Sequence, residues 1–241
     1  MLESMFATLK FLFVATLLGP VTGLIGIPLT LLTGDISWMY RRAMAISALS
    51  TRAAGVRAEI TGRENIPAGR ACIFMCNHVS NLDPPLLLPV LPGRVAVMLK
   101  SELMSIPILG TAMRLGGFIP VERTREPRKA KAALDAAADA LRMGLHIVTY
   151  PEGSRSRDGR LSEFKKGAFL LARLTGAPIV PVALSGTQKM MPPGSWRIEP
   201  GTAQMKFLPV IESAQYASRE ELMSAVHAAI DAALPAEMQS R

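Results

Sequence analysis

Aromatic residues are scarce in this chain, 5% of 241 positions. Stacking platforms for single-stranded nucleic acid are therefore few. Cysteine is scarcer still, with Cys72 and Cys76 alone. They lie in Ala-Cys-Ile-Phe-Met-Cys, a strand-like run that holds them about 13 Å apart, beyond disulfide reach. No third cysteine or adjacent histidine completes a zinc set, so both are read as packing residues in a reducing compartment. The three histidines, His78, His146 and His227, are too scattered to assemble a metal site unaided. There is no Gly-x-Ser-x-Gly elbow, no Walker loop and no Gly-x-Gly-x-x-Gly, which argues against serine-hydrolase and nucleotide-binding chemistry. Charge is missing altogether from Phe11 to Gly34, 24 residues in a row.

What is present is apolar and basic. Hydrophobic residues make up 49% and the net charge is +8. Residues 94–131 carry eight Lys/Arg against three acids, and residues 212–241 five acids against two Arg. A basic middle on an apolar, aromatic-poor chain fits anionic lipid or phosphorylated substrates better than nucleic acid.

The uncharged run is long enough to span a bilayer. Gly19-Pro20, Gly23, Gly26 and Pro28 interrupt it, and proline breaks helical hydrogen bonding. The expectation is two short helices, Leu2 to Leu18 and Leu24 to Leu32, forming a membrane-embedded hairpin. A single kinked span is the alternative. A cleaved signal peptide fits poorly, because Glu3 offsets Lys10 and Ala43-Met44-Ala45 lies beyond Arg41 and Arg42. Trp38 and Tyr40 with those arginines resemble an interfacial anchor facing the cytoplasm.

From residue 57 onward, apolar runs alternate with helical stretches. Strands are expected at Ala71–Cys76, Val95–Leu99, Phe118–Val121, His146–Tyr150, Ile179–Leu184 and Met205–Ile211. Helices are expected at Lys129–Met143, Phe164–Thr175 and Arg219–Leu234, the first two ending at Gly144 and Gly176. The pattern predicts an α/β domain, a mixed sheet flanked by helices, over 57–241. A membrane-associated segment over 1–56 precedes it.

Asn77-His78-Val-Ser-Asn-Leu-Asp83 follows the first of these strands, where open α/β sheets place ligands. A histidine whose tautomer is fixed by a carboxylate takes a proton from an alcohol. Asp83 before Pro84 and Pro85 equally reads as a helix N-cap. Tyr150-Pro-Glu152-Gly153-Ser-Arg155-Ser156 follows another strand. There Gly153 permits a tight turn, Arg155 offers a planar fork for phosphate, and Glu152 offers oxygens to an acceptor hydroxyl. Lys100 and Arg123 stand just past two further strands. Each cation alone reads equally as a solvated surface charge. His146 and His227 are read as structural.

Four ordered blocks resemble the glycerolipid acyltransferase family. They are Asn77-His78 with Asp83, Gly117 to Arg123, Tyr150 to Ser156 (with Tyr for Phe and Ser for Thr), and Val180-Pro181-Val182. Glu122 departs from the shorter polar residue common in the second block. The resemblance implies a glycerol-3-phosphate acyltransferase-like fold. It implies transfer of an acyl group from acyl-CoA or acyl-carrier-protein to the sn-2 hydroxyl of lysophosphatidic acid, with no cofactor or metal. His78 and Asp83 would be catalytic; Arg123, Arg155, Glu152 and Gly153 would hold the glycerol phosphate, and Lys100 or nearby backbone N–H groups would face the oxyanion. The expected partners are lysophosphatidic acid, the acyl thioester, membrane lipid and an acidic carrier protein, not nucleic acid. The expected place is the cytoplasmic face of a bacterial inner membrane. Competing readings are another acceptor such as a lyso-ornithine lipid, a thioester hydrolase using Ser80 or Ser154, and a non-catalytic membrane module.

Overall fold

The computed structural model describes residues 2–122 and 126–241. Its first helix corrects the expected bend. α1 (Leu2–Thr33) runs unbroken through Gly19, Pro20 and Pro28. The two prolines lie more than two turns apart, so each costs one isolated hydrogen bond and leaves the flanking turns intact. The hairpin's turn comes at residues 34–36 instead. There Gly34 N–H donates to the Thr30 carbonyl (2.8 Å) and Asp35 Oδ1 accepts from Ser37 N–H (2.8 Å). The chain then returns as α2 (Ser37–Ala53), packed along α1.

Then follow β1 (Val56–Thr61), β2 (Ile73–Cys76), α3 (Asp83–Leu87), β3 (Val95–Lys100), α4 (Leu109–Leu115), β4 (Ile119–Val121), α5 (Pro127–Arg142) and β5 (His146–Thr149). The chain closes with α6 (Gly167–Thr175), β6 (Ile179–Ser185), α7 (Thr187–Met190), β7 (Gly201–Phe207) and α8 (Arg219–Ala233). Among the described residues, seven strands form one sheet in the order β1-β7-β6-β2-β5-β3-β4. The block from β6 to β4 is parallel, while β7 is antiparallel to β6 and β1 runs parallel to β7.

Two strands differ from expectation. β1 was not anticipated, because Val-Arg-Ala-Glu-Ile-Thr is half polar and buries one face only. The last strand lies at Gly201–Phe207, not Met205–Ile211. Pro209 has no N–H for a ladder, so the chain leaves the sheet and Ile211 makes only an isolated bridge to Ile179.

Alternation along β2 divides the core. Ile73 and Met75 face α5, α6 and α8 with Phe169 and Val226, whereas Phe74 and Cys76 face α1–α3 with Met39 and Leu86. Each such fully buried large side chain contributes about 1.5–3 kcal/mol. Both cysteines are free and buried. α6 stops where the sequence said, at Gly176 in a left-handed conformation (φ 65°).

α1 is fastened to this body at a few points. Thr8 Oγ1 accepts the Ile198 N–H (2.8 Å). A Cβ at Gly23 would overlap the Ile108 side chain, and one at Gly26 would press on Met39. Ile108 has φ 63° and ψ −58°, inside a γ-turn closed by Leu109 N–H to the Pro107 carbonyl (2.6 Å). A β-branched residue in that region stores about 1–3 kcal/mol.

Candidate active site

Parallel pairing puts the carboxyl ends of β6, β2, β5, β3 and β4 on one sheet edge. The loop leaving β2 is the most tightly built part of that edge. Asn77 extends the strand with its side chain: Oδ1 accepts the Leu184 N–H (2.8 Å) and Nδ2 donates to the Leu184 carbonyl (2.9 Å). Asp83 is fully buried. Its Oδ2 lies 2.8 Å from His78 Nδ1 and accepts the Val79 and Ser80 N–H groups, each at 2.8 Å. Its Oδ1 accepts the Thr187 hydroxyl at 2.6 Å.

The N-cap reading of Asp83 is thereby corrected. Leu82 occupies the cap position of α3 and makes no side-chain cap hydrogen bond among the described residues. The carboxylate turns back into its own loop because His78 and two backbone N–H groups converge on it there. With Nδ1–H directed at Asp83, Nε2 carries the imidazole lone pair. The His78 side chain keeps 18% of its exposure. Its ring stacks on Tyr150 with centroids 4.1 Å apart and planes inclined 27°.

The turn after β5 clamps the backbone of His78. Glu152 Oε1 accepts the His78 N–H (2.6 Å), and Ser156 N–H donates to the His78 carbonyl (2.8 Å). Glu152 Oε2 accepts the Ser162 N–H (3.0 Å). Glu152 is only 3% exposed, so the expectation that it faces an acceptor hydroxyl is corrected: both oxygens hold loop backbone. Burial pushes its carboxyl up, opposed by the His78 and Ser162 hydrogen bonds. Gly153 turns at φ 72°, and a Cβ there would meet the Lys165 side chain at 2.8 Å.

The expected cations are less unified. Arg155 is half-buried on this turn, without a hydrogen bond or ion pair among the described residues. Lys100 ends β3 on the same edge, two strands from His78, with its ammonium 2.9 Å from Glu102. Glu122 pairs with Lys129. Arg123 lies outside the described residues.

Sequence reasoning gave no role to Thr187 or to the Tyr150 ring. Thr187 approaches from the end of β6, 104 positions beyond Asp83, and no local spacing announces it. The Tyr150 hydroxyl is buried without a hydrogen-bond partner among the described residues. Burial first, then the neighbouring Cys76 and Asp83, pushes its phenol well above the ordinary value.

The other histidines stand apart. His146 begins β5 at the opposite sheet edge, its Nδ1 accepting the Cys72 N–H (3.2 Å) and lying 3.1 Å from Cys72 Sγ. Burial lowers that imidazole and pushes the Cys72 thiol up to about 12. His227 packs edge-on against Phe164. Among the described residues no cluster of three or more His, Cys, Asp or Glu is placed to hold a metal.

A family model described as Acyltransferase matches residues 57–185. The chain is 40% identical over 140 residues to a chloroplastic 1-acyl-sn-glycerol-3-phosphate acyltransferase of Brassica napus, covering 58% of this chain and 40% of that one. It is 32% identical over 157 residues to human 1-acyl-sn-glycerol-3-phosphate acyltransferase alpha, covering 65% and 56%. The chain thus spans roughly half the length of these curated relatives. Among solved structures, the lysophosphatidic acid acyltransferase PlsC from Thermotoga maritima superposes with a TM-score of 0.81 at 28% identity, over 96% of this chain and 95% of that one.

Proposed function

The chain belongs to the acyltransferase family, and from that premise we propose that it transfers an acyl group from a thioester to the sn-2 hydroxyl of lysophosphatidic acid, giving phosphatidic acid. The names of its relatives and of its structural neighbour support this acceptor. The observation that carries the chemistry is the 2.8 Å contact of His78 Nδ1 with a buried carboxylate that three further donors hold in place.

The mechanism follows from that arrangement. His78 Nε2 removes the proton as the sn-2 oxygen attacks the thioester carbonyl, and Asp83 stabilises the imidazolium that forms. The tetrahedral intermediate collapses, the C–S bond breaks, and the departing thiolate takes the proton from His78. Glu152, Asn77 and Thr187 act as positioning residues. Arg155 and Arg123 receive the phosphate, and Lys100 stands as a cation at the rim. Acyl-CoA and acyl-carrier-protein are both suitable donors, and the product places the protein in phospholipid biosynthesis.

The hydrolase reading has less support. Ser80 is fully buried, with its hydroxyl donating to the Met191 carbonyl (2.8 Å), and is a poor nucleophile there.

α1, at 32 residues, is about 48 Å long against a hydrocarbon core of about 30 Å. It touches the body near both ends, at Thr8 and at Gly23 and Gly26. We read it as lying along the cytoplasmic leaflet of a bacterial inner membrane, its free face in lipid. Arg42 over the Trp38 ring (5.6 Å) fits the headgroup level.

The deciding assay supplies labelled acyl-CoA with lysophosphatidic acid and scores phosphatidic acid. Lyso-ornithine lipid and glycerol 3-phosphate compete as acceptors, and acyl-carrier-protein replaces the donor in a parallel run. Fatty acid release without an acceptor, or preferred use of another lysolipid, overturns the assignment.

A further inference from the structure

We propose that residues 101–109, running from the end of β3 to the first residue of α4, form a second lipid-contacting element, whose partner is the acyl layer of the same bilayer that receives α1. The inference rests on the reading that α1 lies in lipid. Leu103, Ile106 and Leu109 are 40%, 42% and 45% exposed, while Met104 between them is buried. Three large apolar side chains on so short a segment are costly in water and favourable in an acyl layer.

The segment is built to present them. Arg114 reaches back with Nη1 to the Met104 carbonyl (2.8 Å) and Nη2 to Thr111 Oγ1 (3.2 Å). Gly110 N–H donates to the Ile106 carbonyl (2.7 Å), and the γ-turn at Ile108 tightens the chain between them. A Cβ at Gly110 would overlap the Met104 backbone, so this packing closes with no room to spare.

Continuity with α1 names the occupant. Ile108 fills the notch at Gly23. On α1 around that notch, Val21, Leu24 and Ile25 are themselves exposed. The two apolar surfaces therefore meet at one seam. Residues 101–109 also directly follow Lys100, at the carboxyl end of β3 on the edge that holds His78. An element in lipid at this point gives an acyl-bearing substrate a short apolar path from the leaflet to that edge.

The two native cysteines are fully buried, so a single introduced surface cysteine takes an environment-sensitive fluorophore selectively. Ile106→Cys and Leu109→Cys are labelled in the full chain, with Leu17→Cys on α1 and Gln215→Cys on a remote exposed surface as references. Vesicles of phosphatidylcholine and phosphatidylglycerol, with and without bromine-substituted acyl chains, are added. The expected result is blue-shifted, bromine-quenched emission at positions 17, 106 and 109 and neither at 215. A response at 17 with none at 106 and 109 overturns the inference and leaves the reading of α1 standing. Silence at all three removes both. As a label-free measure, the double variant Ile106→Ser/Leu109→Ser is expected to weaken vesicle partitioning by about tenfold or more with an unchanged circular dichroism spectrum. Unchanged partitioning overturns the inference.

Discussion

The two edges of the sheet each hold a histidine, and they have been put to different ends. At the carboxyl edge, His78 is held at three points: a buried carboxylate on Nδ1, a glutamate on its N–H, and a serine N–H on its carbonyl. At the amino edge, His146 meets a buried thiol and a strand N–H, with no carboxylate in contact among the described residues. Both residues flank apolar strands of similar appearance. What separates them is strand direction, because parallel strands gather their outgoing loops at one edge only.

The sharpest way to break this contrast is to remove each ring. His78→Ala is expected to lower acyl transfer by on the order of a hundred- to ten-thousand-fold, whereas His146→Ala leaves the rate within about threefold, both read with radiolabelled acyl-CoA. Equal losses would mean that the edges do not differ in kind.

Asp83→Asn comes next. An amide retains one acceptor oxygen but turns an NH2 toward donors on the other side. Turnover is expected to fall about a hundredfold or more, and the unfolding free energy from urea titration to drop by about 1–3 kcal/mol as buried donors lose their acceptor. An enzyme of normal rate would show that the carboxylate only shapes the loop.

Glu152→Gln is a smaller change of the same kind, leaving one of the His78 and Ser162 N–H groups poorly matched, at about 1–3 kcal/mol. It also has a pH signature. Burial raises the folded-state pKa above the ordinary 4.5, so between those values the folded chain binds more protons than the unfolded one. This group's contribution to stability therefore falls as pH rises through that window. Denaturation midpoints of wild type and Glu152→Gln, compared from pH 4 upward, are expected to diverge in that direction.

The amino edge predicts the opposite slope. His146 has a folded pKa below its ordinary 6.5, so the unfolded state binds more protons just under that value. Stability is expected to rise with pH there and be lost on acidification, and His146→Leu should flatten this portion of the curve.

The smallest effect belongs to Tyr150. Removing its unpartnered hydroxyl in Tyr150→Phe is expected to stabilise the fold by about 1 kcal/mol with the ring stack kept and the rate within threefold. Tyr150→Leu, which loses the stack, should slow turnover about tenfold by loosening His78.

Much of this was legible in the chain. The five-residue interval from His78 to Asp83 and the strand before it foretold the pairing, because both residues belong to one loop. The ends of α5 and α6 were written in Gly144 and Gly176. Thr187 was not legible: it opens α7 just after β6, far along the chain from Asp83, and only the pairing of β6 beside β2 brings the two together. Glu152 was recognised as part of the site but given the wrong duty, since a motif names a residue without saying which groups fill its oxygens. Proline positions suggested a break in α1 that does not occur, because each proline removes one isolated hydrogen bond and the turns on either side of it stay complete.

The first two helices also carry a practical lesson for anyone producing this protein. Met39 and Ala54 lie in the interior, the Tyr40 hydroxyl accepts the first N–H of β3 (3.1 Å), and Thr8 holds Ile198. Trimming the oily N-terminus to ease purification would not release a soluble catalytic unit. It would open the hydrophobic floor of the sheet, and the fragment is expected to precipitate where the intact chain, kept in detergent or a nanodisc, does not.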